Sequence, residues 1–245
     1  MKEPLGIVLR SCLFTTVQLL ITPPYSLVAL GTFPLPALTR YRIIRGWARL
    51  MLVLVERICG IRYRVLGAEH IPSQPCVMLS KHQSAWETMA FQAIFPPQVQ
   101  VIKRELLWIP FFGWGLAMVS PIAIDRASGV RALKQMIEQG KDRLKRGFWV
   151  IVYPEGTRMA PGARGKYQTG GAAIAVHAGA PVVPVAHNAG KYWRRKAFLK
   201  YPGTITVSIG HAIDSRGLKA AALTRRAEAW IESEMPRLDR PDGQA

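Results

Sequence analysis

From residue 11 to residue 39 no side chain carries a charge, while Lys2 and Arg10 precede the stretch and Arg40, Arg42, Arg45 and Arg49 follow it. About 20 apolar residues suffice to cross a bilayer. Pro23 and Pro24 fall mid-run and remove two backbone donors, so the pattern predicts two short helical halves broken at that point. Basic residues favour the cytoplasmic side of a membrane. With both flanks basic, a hairpin that enters and leaves on one face satisfies the charges better than a single crossing. The alternatives are a true span, a buried N-terminal helix pair, or a signal peptide cut near Ala29, Leu30 and Gly31.

After about residue 60 the pattern changes. Short apolar or β-branched runs at 62–66, 76–80, 99–103, 121–124, 148–153, 182–187 and 204–210 read as strands. Helix-like stretches lie at 85–94, 129–145, 170–177 and 218–234. Alternation of this kind predicts an α/β fold, a mostly parallel sheet flanked by helices, preceded by an N-terminal apolar helical membrane-anchoring hairpin. The expected division is a membrane-associated segment at 1–60, an α/β domain at 61–235 and a frayed polar tail at 236–245.

Composition narrows the partners. Across 245 residues, 33 Lys and Arg stand against 15 Asp and Glu, a formal charge of +18 spread along the chain rather than held in a tail. That surplus calls for an anionic partner: nucleic acid, a membrane surface or a phosphorylated ligand. Hydrophobic residues at 49% and charged residues at 20% exclude general disorder. Cys12, Cys59 and Cys76 lack the spacing of a disulfide scaffold or a cysteine zinc site, and point to a reducing compartment.

Candidate chemistry gathers at strand ends. His82 leaves the second run and Glu87 follows five residues later, where a carboxylate can orient an imidazole that acts as a base. On one continuous helix positions five apart diverge by about 140°, so His82 must precede the helix and Glu87 must return beneath it. The competing reading is a capping box, in which Glu87 binds only the N–H of Ser84. The fifth run leads into Glu155, Gly156, Thr157 and Arg158, where glycine admits a ligand to the backbone and arginine offers a fork suited to phosphate. An ordinary glycine turn with Glu155 and Arg158 paired is the alternative. Residues 162–167 are not a Walker loop, since Lys166 is followed by Tyr167. Lys103 and Arg104 follow the third run, and Asp125 and Arg126 the fourth, so the charges collect where open α/β sheets bind ligands.

Taken in order, the blocks at 82–87, 103–113, 124–126, 153–158 and 182–185 resemble the 1-acylglycerol-3-phosphate O-acyltransferase family of glycerolipid synthesis. The family's first block commonly ends in aspartate where this chain has Glu87. The resemblance implies transfer of an acyl chain from acyl-CoA or acyl-acyl-carrier protein to the sn-2 hydroxyl of lysophosphatidic acid, giving phosphatidic acid at the cytoplasmic face of the inner membrane. It implies His82 as base and Glu87 as its orienter, with Arg158, Lys103 and either Arg126 or Arg104 holding the phosphate. Glu155, Gly156 and Thr157 would shape that pocket, backbone N–H groups would stabilise the oxyanion, and neither metal nor resident cofactor is implied. Ser84 is a poor nucleophile, lacking the G-x-S-x-G elbow.

Two rival readings remain open from sequence. The acceptor could be another lysolipid, such as a lyso-ornithine lipid or a lysophospholipid. The basic, aromatic stretch 191–200 suggests a non-enzymatic membrane-binding or nucleic-acid-binding protein, although no nucleic-acid motif accompanies it, and seating at the lipid headgroups or a solvated loop suits it better.

Overall fold

A computed structural model describes residues 4–240, with the side chain of Arg126 outside the described set. The elements run α1 (Leu5–Gly31), α2 (Ala37–Cys59), β1 (Ile61–Leu66), β2 (Val77–Ser80), α3 (Trp86–Ile94), β3 (Gln98–Lys103), α4 (Phe112–Met118), β4 (Ile122–Ile124), α5 (Val130–Lys145), β5 (Trp149–Val152), α6 (Gly170–Ala178), β6 (Val182–His187), α7 (Ala189–Tyr192), β7 (Gly203–Ile209) and α8 (Ala220–Leu238). All seven expected strands form. They make one sheet in the order β1-β7-β6-β2-β5-β3-β4. Every neighbouring pair is parallel except β6 and β7, so β1 and β7 run against the other five.

The central strands read as continuous apolar runs because both faces of the sheet are covered. Val77 and Leu79 of β2, with Val150 and Val152 of β5, point to a core shared with α5, α6 and α8. Met78, Trp149 and Ile151 point the other way, toward α2 and α3. Period-two alternation thus survives inside strands with no polar face. Gly171 lets α6 settle on the sheet: a Cβ there would lie 2.5 Å from Leu79 and 3.0 Å from Val152.

The N-terminal region forms a helix pair, but its break is not at the prolines. Helix α1 continues through Pro23 and Pro24 to Gly31, and the reversal falls at residues 32–36. The two prolines withhold the N–H groups that would reach the carbonyls of Leu19 and Leu20, both on exposed turns. Packing carries the helix past them: the Tyr25 hydroxyl donates to the carbonyl of Ile43 on α2 at 3.0 Å, and Ser26 and Ala29 are buried. At the other end α8 includes Pro236 and stops at Leu238 rather than fraying from 236. The Leu238 carbonyl accepts from the Asn188 amide at 2.8 Å, which fixes that last turn. Residues 241–245 of the expected tail lie outside the described residues.

Candidate active site

Strand β2 ends at Ser80, and the next residues leave the sheet between the ends of β6 and β5. His82 sits in that exit and Glu87 in the first turn of α3, so the chain reverses between them. Glu87 Oε1 lies 2.8 Å from His82 Nδ1 and also accepts the backbone N–H groups of Gln83 at 2.9 Å and Ser84 at 2.8 Å. Orientation and capping therefore occur together. The capping box itself is only half formed, because the Ser84 hydroxyl accepts from the Trp86 N–H rather than from that of Glu87.

Burial alone would raise the Glu87 carboxyl. The field of His187, the His82 hydrogen bond and the Ser84 N–H overcome it and hold the group at about 2. A carboxylate can only accept, so Nδ1 of His82 carries the proton and Nε2 presents a lone pair. The imidazole stacks on the Tyr153 ring, with centroids 4.0 Å apart and planes 20° from parallel, and lines a cavity of about 590 Å³. Burial and then the charge of Glu87 push the Tyr153 phenol well above its ordinary range, so Tyr153 stays neutral.

Lys103, Gly156, Thr157 and Arg158 line the same cavity. Arg158 Nε is buried and has no hydrogen-bond partner among the described residues, an unpaired donor on the wall. Arg158 also borders an adjoining apolar cavity of about 320 Å³ that runs beneath α1, α2 and α4. Arg104 instead pairs with Asp125 at 3.2 Å and does not line the cavity, and the Arg126 side chain lies outside the described residues.

Glu155 is not paired with Arg158, nor does it line the cavity. It is buried, and its Oε1 accepts from Lys81 Nζ at 2.8 Å and from the Gly165 N–H at 3.0 Å, while Oε2 accepts the His82 N–H at 3.3 Å. The Met159 N–H donates to the His82 carbonyl at 2.7 Å, so the two motif-bearing loops are tied directly to each other. Lys81, 1% exposed, also reaches Glu232 Oε1 of α8 at 2.8 Å, which Tyr167 contacts through its hydroxyl. His187 is fully buried, donates its Nε2–H to the Lys81 carbonyl (2.8 Å), and is pushed down by burial.

Sequence reasoning missed Lys81, His187, Tyr167 and Glu232. A lysine and a histidine each closing an otherwise apolar strand were the available signal, because charge at a strand end is costly unless paired. The stretch 191–200 is neither a solvated loop nor a surface patch throughout. Trp193 is buried, and Lys200 lies in an aromatic cage with Nζ 4.7 Å from the Trp193 centroid, 5.2 Å from Phe198 and 5.3 Å from Phe14 of α1. The ring faces attract the ammonium there, against a burial cost that pushes the Lys200 amine down.

A family model described as Acyltransferase matches residues 62–188, from β1 to the end of β6. The 1-acyl-sn-glycerol-3-phosphate acyltransferase of Pseudomonas aeruginosa is 52% identical over 205 residues, 82% of this chain and 80% of that protein. The 1-acyl-sn-glycerol-3-phosphate acyltransferase alpha of Bos taurus is 33% identical over 174 residues, 70% of this chain and 61% of that one. In fold, the crystal structure of the 1-acyl-sn-glycerophosphate (LPA) acyltransferase PlsC from Thermotoga maritima matches with a TM-score of 0.80 at 21% identity, over 97% of this chain and 98% of that chain. The matched stretch contains His82, Glu87 and the loop that ends in Arg158, and on that extent of shared sequence the chain belongs to the acyltransferase family.

Proposed function

We propose that this protein transfers an acyl group from a thioester donor, acyl-CoA or acyl-acyl-carrier protein, to the sn-2 hydroxyl of 1-acylglycerol-3-phosphate, forming phosphatidic acid at the cytoplasmic face of the inner membrane. The observation that carries the reading is the His82–Glu87 pair opening onto a cavity whose wall bears the unpaired donor of Arg158. The relatives' names supply the acceptor.

In the proposed reaction the hydroxyl proton passes to His82 Nε2 as the oxygen attacks the thioester carbonyl. Glu87, ionised, stabilises the imidazolium through Nδ1–H. Collapse of the tetrahedral intermediate breaks the carbon–sulfur bond, and the imidazolium returns its proton to the departing thiolate, so the imidazole is neutral again and the donor leaves as a thiol. Arg158 with Lys103 holds the acceptor phosphate, which lies only a few bonds from the reacting hydroxyl and therefore needs its cation beside His82. Gly156 and Thr157 form the adjoining wall. The neighbouring apolar cavity, roofed by α1 and α2, suits a hydrocarbon chain.

The test is an assay of the full chain in mixed micelles with lysophosphatidic acid and a panel of acyl donors, following phosphatidic acid. His82→Ala should lower turnover by at least about 10²-fold, the lower range for loss of a general base, with the fold retained. Near-normal turnover would overturn the mechanism. A wild-type preference for lyso-ornithine lipid or another lysophospholipid would overturn the acceptor.

A further inference from the structure

The cavity has a second cationic element. Arg195 and Lys196 line it, both exposed, and among the described residues neither has an ion-pair partner. They are the two central residues of a tight turn closed by the Ala197 N–H donating to the Arg194 carbonyl at 3.2 Å. Lys196 has φ +55°, a left-handed backbone that favours glycine over a long side chain. The turn is clamped on both sides. Before it, the Trp193 N–H donates to the Ala189 carbonyl at 2.9 Å; after it, the caged Lys200 donates its backbone N–H to Ser11 Oγ of α1 at 3.0 Å. A loop secured at both ends thus holds a strained lysine and its arginine neighbour at the cavity rim.

Sheet order separates these cations from the other pair. Lys103 follows β3 and Arg158 follows β5, both on one side of β2, whereas Arg195 and Lys196 follow β6, on the other. His82 leaves β2 between them. The reaction proposed above brings two phosphate-bearing molecules to one imidazole. The acceptor's phosphate must lie beside the reacting hydroxyl, where partly buried Arg158 stands. A phosphopantetheine donor carries its phosphate at the far end of the pantetheine arm from the thioester, which calls for cations at the mouth.

We infer that Arg195 and Lys196 form the site for the phosphate of the phosphopantetheine-bearing acyl donor. The inference rests on the acyltransfer reading. Coenzyme A and a carrier protein's prosthetic group share that phosphate, and only the former adds the nucleotide's phosphates.

The experiment measures KM for acyl-CoA, for acyl-acyl-carrier protein and for lysophosphatidic acid, together with binding to anionic vesicles, in wild type, Arg195→Gln/Lys196→Gln and Lys196→Gly. Exposed Lys166→Gln, outside the cavity lining, controls for lost charge. The double variant should raise the KM of at least one donor about tenfold, the scale of lost charge-assisted hydrogen bonds, with the lysophosphatidic acid KM and vesicle binding unchanged. Loss with both donors assigns the shared phosphate, and loss with acyl-CoA alone would overturn that assignment in favour of the nucleotide phosphates. Lys196→Gly relieves the left-handed backbone, so it should keep the fold and still raise the donor KM, which a purely structural lysine would not do. Unchanged donor KM values, a lysophosphatidic acid KM that rises in step, or a parallel loss of vesicle binding would each overturn the site. A wild-type enzyme that acylates no lysophosphatidic acid would instead overturn the functional reading, a separate result.

Discussion

Glu87 Oε1 accepts three hydrogen bonds, one from His82 and two from the backbone that turns into α3, so one oxygen sets both the imidazole and the helix start. Glu87→Gln separates those duties. Its amide oxygen can still accept the same N–H groups, but it carries no charge to stabilise the imidazolium. Turnover should fall about 10²-fold while the variant stays folded at neutral pH; full activity in the variant would mean that capping is the residue's whole contribution. Acid stability follows from the same group. Its folded value of about 2 lies below the ordinary 4.5, so the unfolded chain binds the extra proton between those pH values. The contribution is complete above about pH 4.5 and is lost as pH falls toward 2, on the order of 3 kcal/mol. His187 is also depressed, from an ordinary 6.5, so its contribution begins to fail below that pH. Urea midpoints across pH 7 to 2 should show wild type declining from about 6.5 and steepening below 4.5, with Glu87→Gln losing only the steeper part. Parallel curves would show that Glu87 is not held ionised by its surroundings.

Helix α8 reaches the site through the Lys81 ammonium, shared by Glu232 of that helix and Glu155 of the loop after β5. Lys81→Met would leave two carboxylates facing each other, and breaking a buried pair this way costs about 3–5 kcal/mol. Glu232→Gln keeps one ammonium against one carboxylate, so it should cost clearly less in thermal or urea unfolding; equal losses would show that packing, not charge, matters there. This element also marks where the sequence stopped being readable. The helix itself was legible at 218–234, yet nothing local tells that Glu232 turns inward to a lysine 151 positions away. The strands were legible because β-branched runs between turns need no tertiary information. His82 and Glu87 were legible because five residues of chain suffice to bring them together. Pro23 and Pro24 were misleading for the opposite reason: the contacts that carry α1 past them come from α2, which local propensity does not see.

Across the whole molecule, α1 joins the excess of charge to an apolar surface. Its length is about 40 Å at the usual rise, and it is docked near both ends, through Ser11 and Phe14 at one and Ser26 and Ala29 at the other. Leu5, Leu9, Leu13, Leu20 and Leu27 recur on the opposite stripe and are exposed. A helix bound to its own domain along that length favours lying in the interface over standing across the bilayer, with exposed Arg42 and Arg49 of α2 available to anionic headgroups. Each leucine returned to an apolar medium contributes about 1.5–3 kcal/mol, and each cation near an anionic surface about 1 kcal/mol. Leu13→Gln/Leu20→Gln should therefore weaken binding to anionic vesicles by about 10²-fold or more. Raising salt should weaken wild type further, because screening removes the cationic share and leaves the leucines. A spanning helix predicts the contrary pattern, with binding that resists salt and alkaline extraction. Binding that is indifferent to both the glutamines and salt would exclude the outer stripe of α1 as the membrane contact.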